Sequence, residues 1–247
     1  MTAVSPVHRG PWNPGQTLAW GIAVGVVFML IQVGVAWMFY AVETVQHPGL
    51  DSDEFSRRLG SNGLFLAVST WATALICTPI VYLLARARGA DFVRDYLGLH
   101  GVKWRHLAMW VVILALFAAA WDLLASELGR PQVPDFMIDT YSTAGSLPLF
   151  WLALVIAAPA FEELFFRGFL LEGLRHMSPG PVGAVIFTAG LWAAIHVQYD
   201  LFDITTIFLF GLILSAARLK AGSVLLPFIM HALLNLVATV QTAIFMD

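Results

Sequence analysis

Polar residues interrupt the apolar C-terminal hundred residues of the chain at three places. They are Glu162, Glu163 and Arg167 in the first place, His196 in the second, and His231 with Asn235 in the third. Ionisable side chains are costly within a membrane segment, so each of them is a candidate functional residue. Glu163 and Arg167 are spaced i, i+4 and can pair on one helix face, which leaves Glu162 free for another partner. Taken singly, these residues are also compatible with interfacial charges or with polar contacts between helices.

Together, a carboxylate, two imidazoles and an amide can hydrolyse a peptide bond. The carboxylate, or a histidine beside it, can take a proton from a water molecule that attacks a carbonyl group. A second histidine and the asparagine amide can then donate to the oxygen that becomes negative. The same glutamate and two histidines could instead hold a zinc ion with water as the fourth ligand. The spacing leaves both mechanisms open, and the absence of a His-Glu-x-x-His motif leaves a zincin of the soluble type unsupported.

Distances along the chain predict that two of these places meet. The segment from Ser178 to Pro181 is a strong helix stop and turn. Glu162 lies 16 residues before this turn and His196 lies 15 residues after it. In an antiparallel helical hairpin, both would therefore lie roughly 24 Å from the turn. His231 lies about 14 Å into its own apolar segment, so we expect a site near the middle of the bilayer.

The composition indicates that most of the surface of this chain faces lipid. Of its 247 residues, 59% are hydrophobic and 12% are charged, about half of the charged fraction that a soluble domain carries. A net charge of -3 gives no basic footprint for nucleic acid, and a single cysteine, Cys77, excludes an intramolecular disulfide. We therefore expect a multi-pass protein of the cell membrane whose partners are the lipid bilayer and a peptide or protein substrate.

Apolar segments long enough to span a bilayer predict an all-α, polytopic transmembrane bundle with about seven to eight spans. The seven segments run over 17–42, 62–85, 106–125, 147–169, 181–198, 204–219 and 222–245. We divide the chain into an N-terminal tail (1–16), N-terminal transmembrane helices (17–146) and catalytic helices (147–247), all in one integrated membrane domain. Basic and acidic connections alternate along the chain, which predicts an N-terminus on the cytoplasmic side and a C-terminus on the opposite side.

The three polar groups resemble the motifs of the CPBP family, also called the Abi or type II CAAX prenyl endopeptidase family. Glu162-Glu163-x-x-x-Arg167 is similar to the Glu-Glu-x-x-x-Arg motif of this family. Trp192-x-x-x-His196 is similar to its aromatic-x-x-x-His motif, and His231-x-x-x-Asn235 to its His-x-x-x-Asn/Asp motif. The motifs occur in the usual order, and the resemblance covers roughly residues 145–240.

The resemblance implies an intramembrane endopeptidase in which Glu162 and His196 activate water. It implies that His231 and Asn235 stabilise the oxyanion or assist in binding a metal, and that Glu163 and Arg167 support the site. The family has been discussed both as zinc metalloproteases and as metal-independent glutamate proteases, so the cofactor stays open. Two other hypotheses remain: a non-catalytic scaffold or bacteriocin-immunity protein, and a transporter that uses the buried Glu and His groups as an ion or proton pathway.

Overall fold

The computed structural model describes residues 10–49, 51–176 and 178–246, and within these ranges the chain forms helices and no strand. The predicted N-terminal tail therefore lies partly outside the described residues, since Met1 to Arg9 are not among them. The ten helices, in chain order, are α1 (Pro14–Gln46), α2 (Ser52–Gly60), α3 (Gly63–Arg86), α4 (Val93–Leu97), α5 (Trp104–Glu127), α6 (Asp135–Ser142), α7 (Leu147–Leu174), α8 (Pro181–Ala194), α9 (Leu201–Ala221) and α10 (Leu225–Met246).

Six of these helices, α1, α3, α5, α7, α9 and α10, are long and apolar enough to cross a membrane. Their outer surfaces are apolar, as shown by Ile22, Leu30 and Trp37 on α1, which are each at least 65% exposed. The seventh predicted segment, 181–198, forms the shorter helix α8, whose 14 residues span only about 21 Å. The predicted all-α polytopic bundle is confirmed, with six full-length helices and one shorter apolar helix among the described residues.

Side chains at the helix ends explain where several of these elements begin. Asn13 and Gln16 form a reciprocal capping box before α1, and the Asn62 side chain accepts a hydrogen bond from the Phe65 amide at the start of α3. The Asp200 carboxylate accepts from two amides of the first turn of α9. Gly222 ends α9 with a φ of 67°, a left-handed conformation that glycine adopts without a steric cost.

Helix α7 lies at the centre of the bundle and packs against α1, α3, α8 and α10. Its backbone widens into π-helical turns at Ala153–Ala157 and again at Glu163–Leu170. Every residue of the second π-helical segment is buried. Because π-helical turns occur frequently at functional sites, the position of this segment directly after Glu162 points to the Glu-Glu doublet.

The predicted hairpin between α7 and α8 is present, but its register differs from the prediction by about one helical turn. Near the connection, Leu171 and Leu174 of α7 pack against Ala184 of α8. Farther away, the α8 residue that donates a hydrogen bond to Glu162 is Trp192. Helix α7 ends at Leu174, four residues before Ser178, so the residue at the height of Glu162 is the one 11 positions after Pro181.

The connections between helices gather at two opposite ends of the bundle, which we call the first and second faces. At the first face, the Trp12 indole donates to the Leu84 carbonyl, the Val224 amide donates to the Gly98 carbonyl, and Arg218 pairs with Glu172. The first face therefore holds the start of α1, the end of α3, α4, and the ends of α7 and α9.

At the second face, the Gly63 amide donates to the Thr143 hydroxyl, and Arg130 pairs with Asp200. Phe136 and Tyr199 also stack edge to face, with ring centroids 5.3 Å apart. These contacts join the start of α3, the connection after α5, helix α6 and the start of α9.

Candidate active site

A buried ion network lies where α7 and α10 meet. Oxygen Oε1 of Glu163 accepts from Arg167 Nη1 at 2.9 Å and from His231 Nδ1 at 2.9 Å. All three side chains are almost fully buried, with at most 5% of each exposed. The predicted i, i+4 pairing of Glu163 with Arg167 is present, and the network adds His231 from a helix nearly 70 residues away. Because removal of one partner would leave a buried charge unpaired, the three groups depend on one another.

Glu162, the neighbouring carboxylate, has different surroundings. Its Oε2 atom accepts a hydrogen bond from the Trp192 indole at 2.6 Å, and its side chain is only partly buried. Glu162 lines a cavity of about 310 Å³ that His196, His231 and Asn235 also line. Four of the six predicted site residues therefore border one cavity, whereas Glu163 and Arg167 lie behind it.

His196 lies two residues after the end of α8, in the connection to α9. Its Nδ1 atom is 2.7 Å from the Trp192 backbone carbonyl. Because a carbonyl oxygen only accepts, Nδ1 carries the proton in this contact. In the neutral tautomer that has this proton on Nδ1, the lone pair lies on Nε2, the atom that a general base would use.

Asn235 is held by the first π-helical segment of α7. Its Nδ2 atom donates to the Leu154 carbonyl at 2.8 Å. An asparagine amide has two N–H groups, so one of them and the amide oxygen remain for another partner. His231 and Asn235 lie on the same face of α10, as their i, i+4 spacing predicts.

Trp192 connects all parts of the site. Besides its hydrogen bond to Glu162, its ring lies edge to face with the rings of His196 and His231, each at a centroid distance of 5.2 Å. The Arg167 guanidinium lies 4.4 Å from the centre of the indole, a distance at which a cation and an aromatic ring attract each other. The indole therefore contacts Glu162 directly and also contacts Arg167 and His231, the two partners of Glu163.

Close packing of Trp192 and Arg167 requires a small residue on α9. A Cβ atom on Gly211 would lie 3.1 Å from Trp192 Cε3 and 3.2 Å from Arg167 Nη2. The Gly211 carbonyl also accepts a hydrogen bond from Arg167 Nη2. Sequence reasoning did not identify Gly211, and it treated Trp192 only as a motif position; the i, i+4 spacing of Trp192 and His196 was the signal that placed the indole beside the site.

Toward the second face, the cavity adjoins a wider vestibule of about 600 Å³. Phe136, Gln198, Tyr199 and Asp203 line both spaces. Burial raises the pKa of the Tyr199 phenol, and the negative charges of Asp203 and Glu162 raise it further. The Arg130 guanidinium donates to Asp200 at the rim and lowers the pKa of that carboxyl. Tyr199 therefore stays a neutral hydroxyl group beside the site.

The donor set does not fit a zinc ion. Structural and catalytic zinc sites need at least three nitrogen, sulfur or oxygen ligands that point to one centre. No group of three His, Cys, Asp or Glu side chains with that geometry occurs in the part of the chain that the structure describes. Glu163 is instead engaged with Arg167 and His231. The zinc alternative from the sequence therefore has no support in this arrangement.

The fold and the site define a class: a polytopic α-helical membrane protein with ionisable groups around a cavity inside its bundle. Comparison with protein families matches residues 144–237 to the family described as type II CAAX prenyl endopeptidase Rce1-like. An Escherichia coli protein described as "Uncharacterized 24.3 kDa protein" is 33% identical over 221 residues, which cover 86% of this chain and 87% of that protein. No solved structure matches. The chain belongs to the Rce1-like family of membrane peptidases, as its three motifs predicted.

Proposed function

We propose that this protein is an intramembrane endopeptidase that hydrolyses peptide bonds of membrane-associated segments with Glu162 and His196 as its water-activating pair. The observation that carries the proposal is the shared cavity, because Glu162, His196, His231 and Asn235 all line the same space of about 310 Å³. A cavity of this size is large enough for a water molecule and the backbone of a short peptide segment.

In this proposal, a water molecule lies between Glu162 and the free Nε2 atom of His196. One of the two groups takes a proton as the water oxygen attacks the peptide carbonyl carbon. The C=O bond becomes a single bond to a negatively charged oxygen. When the C–N bond then breaks, the acquired proton passes to the leaving nitrogen, and the products are a carboxylic acid and an amine.

The negative oxygen needs donors that are already in position. Asn235 has one N–H group that is not engaged with the Leu154 carbonyl. His231 is held by Glu163 through Nδ1, so a protonated His231 directs its Nε2–H away from that carboxylate. We assign these two donors to the oxyanion. Glu163 and Arg167 act as positioning residues, because they contact His231 and Trp192 and not the cavity.

The experiment compares protein N-termini by mass spectrometry in membranes from cells that make the wild type or Glu162→Ala. The proposal predicts new N-termini with the wild type alone, and these identify both substrate and cleaved bond. Identical N-termini, with both proteins folded and equally abundant, would contradict the proposal and favour the scaffold or transporter hypotheses. Glu127→Ala is the matched control, because Glu127 is exposed at the end of α5 and outside both cavities.

A further inference from the structure

Glu163 also borders a second cavity, of about 780 Å³, which the proposed reaction does not use. Helices α3, α7 and α10 form its walls, and the connection 98–101 borders it at the first face. This connection is tied to the start of α10, because the Val224 amide donates to the Gly98 carbonyl at 2.8 Å. The volume lies in the range of sites that bind small molecules.

Most of the lining of this cavity is hydrocarbon, as shown by Leu99, Leu164 and Phe228. Tyr82 of α3 and Leu225 of α10 also line it, and they are 38% and 41% exposed. The cavity is therefore open beside these two helices. An occupant that buries such walls must itself be apolar over most of its surface.

Two polar atoms on the lining residues have no hydrogen-bond partner in the part of the chain that the structure describes, and they are Oε2 of Glu163 and Oγ1 of Thr78. Glu163 is 1% exposed, and its other carboxylate oxygen accepts from Arg167 and His231. Thr78 lies eight residues before the end of α3, roughly 12 Å inside the first face. Because an unpaired buried polar atom is costly, both atoms favour an occupant that forms hydrogen bonds.

The Thr78 hydroxyl differs from other threonine hydroxyls in the helices. Those of Thr188, Thr206 and Thr239 donate to the carbonyl four residues earlier in their own helix, a common arrangement for threonine within a helix. The Thr78 hydroxyl makes no such bond among the described residues. It is therefore left for a partner outside α3.

We propose that this cavity binds an uncharged lipid with a free hydroxyl group, which lies between Thr78 and Glu163 while the hydrocarbon chain follows the apolar walls. The lipid hydroxyl donates to Glu163 Oε2, and its oxygen accepts from the Thr78 hydroxyl. A neutral donor is favoured over an ammonium group because Arg167 already balances the charge of Glu163, and a further buried cation would have no counter-charge. The site is separate from the cavity of Glu162 and His196 and does not depend on the proposed function.

The first test compares three probes that share one hydrocarbon chain and differ in their polar group: oleyl alcohol, methyl oleate and oleate. Their binding to the purified full-length protein in detergent is measured by native mass spectrometry. Oleyl alcohol should bind about 10-fold more tightly than methyl oleate, which has no donor, and than oleate, which is repelled by Glu163. Equal binding of all three probes would overturn the proposal, because it would indicate a hydrocarbon contact without a hydroxyl site.

Variants then locate the site. Thr78→Val keeps the shape of the side chain and should lower the affinity for oleyl alcohol about 10-fold, with methyl oleate unaffected and with affinity restored in Thr78→Ser. Thr188→Val on α8 is the matched control, because that hydroxyl bonds to its own helix and lies outside the cavity.

Ala160→Leu provides a second variant, since Ala160 lines the cavity and a larger side chain there should exclude oleyl alcohol. Wild-type affinity for oleyl alcohol in both Thr78→Val and Ala160→Leu would overturn the proposal. A photoreactive fatty alcohol, followed by peptide mapping, should label α3, α7 or α10 at this cavity; labelling confined to other helices would also overturn it. None of these measurements involves proteolysis, so failure of this site and failure of the proposed function give different results.

Discussion

Glu162 and Glu163 are adjacent in the chain, yet they belong to two different regions of the molecule. Glu162 faces the cavity, is partly exposed and accepts one hydrogen bond from an indole. Glu163 is 1% exposed and accepts from two side chains that can both carry a positive charge. The cavity region holds Glu162 and His196, which are partly exposed. The buried region is the network of Glu163, Arg167 and His231, whose side chains are at most 5% exposed and of which His231 also borders the cavity.

This difference assigns separate tasks to two identical side chains. A group that must exchange protons with water needs access and an uncommitted atom, which the cavity region provides. A group that must hold a histidine in one orientation needs burial and complete engagement, which the buried region provides. Variants in the cavity region should therefore reduce the reaction rate and preserve stability. Variants in the buried region should reduce both.

The largest expected effect on rate is that of His196→Ala. Loss of the free Nε2 atom should lower kcat/KM by about 10²- to 10⁴-fold, the contribution typical of a general base. The melting temperature should remain close to that of the wild type, because His196 lies outside a helix and makes one hydrogen bond to backbone. The measurement is the cleavage rate of an identified substrate, with His106→Ala on α5 as the control. A fully active His196→Ala variant would remove this histidine from the mechanism.

Glu163→Gln should cost about 3–5 kcal/mol of unfolding free energy, because it leaves Arg167 buried without its counter-charge. Thermal unfolding in detergent measures this loss. The double variant Glu163→Gln/Arg167→Met removes both charges and should recover most of the stability, but not the activity, since the glutamine oxygen accepts from His231 without supplying the negative charge of Glu163. If the double variant were as unstable as the single one, the buried charge would not be the cause.

Gly211→Ala should have a smaller effect that links the two regions. The new methyl group would crowd Ala189 as well as Trp192 and Arg167, and overpacking of this kind costs about 1–3 kcal/mol. Displacement of Trp192 should also lower the cleavage rate. Gly190→Ala on α8 is the matched control, since its Cβ would approach only Phe208, at 3.9 Å. Equal behaviour of the two variants would show that the packing around Gly211 has no special role.

The smallest effect on stability is expected at the vestibule, where Arg130 pairs with Asp200. The folded-state pKa of Asp200 is lowered, so its pairing stabilises the protein above the usual Asp pKa and is lost as pH falls through the folded value. Asp200→Asn can still cap α9, so it should lower the melting temperature slightly at neutral pH and not at all in strong acid. A pH series of melting temperatures checks this. A difference that persists in acid would indicate a role beyond the ion pair.

Much of the fold follows from the sequence because a segment that crosses lipid must be apolar and must satisfy its backbone hydrogen bonds internally, as a helix does. All seven apolar segments form helices, and the i, i+4 spacing alone predicted the pairing of Glu163 with Arg167. The register of the hairpin was wrong by about one turn, because the strongest stop signal, at Ser178 to Pro181, lies beyond the actual end of α7. Hydrophobicity indicates which residues avoid water, but it does not indicate the residue at which a helix ends.

The site could be predicted only in outline. The motif residues were evident from the sequence, but the π-helical turns of α7 at Ala153–Ala157 and Glu163–Leu170 are seen only in the structure. For the same reason, the role of Trp192 as the partner of Glu162 became visible only in three dimensions. The catalytic assignments and the division of the chain at residue 147 stay predictions.

The most direct test of the account compares Glu162→Gln and wild type on one substrate, with the melting temperature of each recorded in parallel. Glutamine keeps the shape and an acceptor oxygen for Trp192 but cannot take a proton at neutral pH. The account predicts an unchanged melting temperature and a cleavage rate lower by about 10²- to 10⁴-fold. A Glu162→Gln protein that is folded and cleaves at the wild-type rate would contradict the central claim.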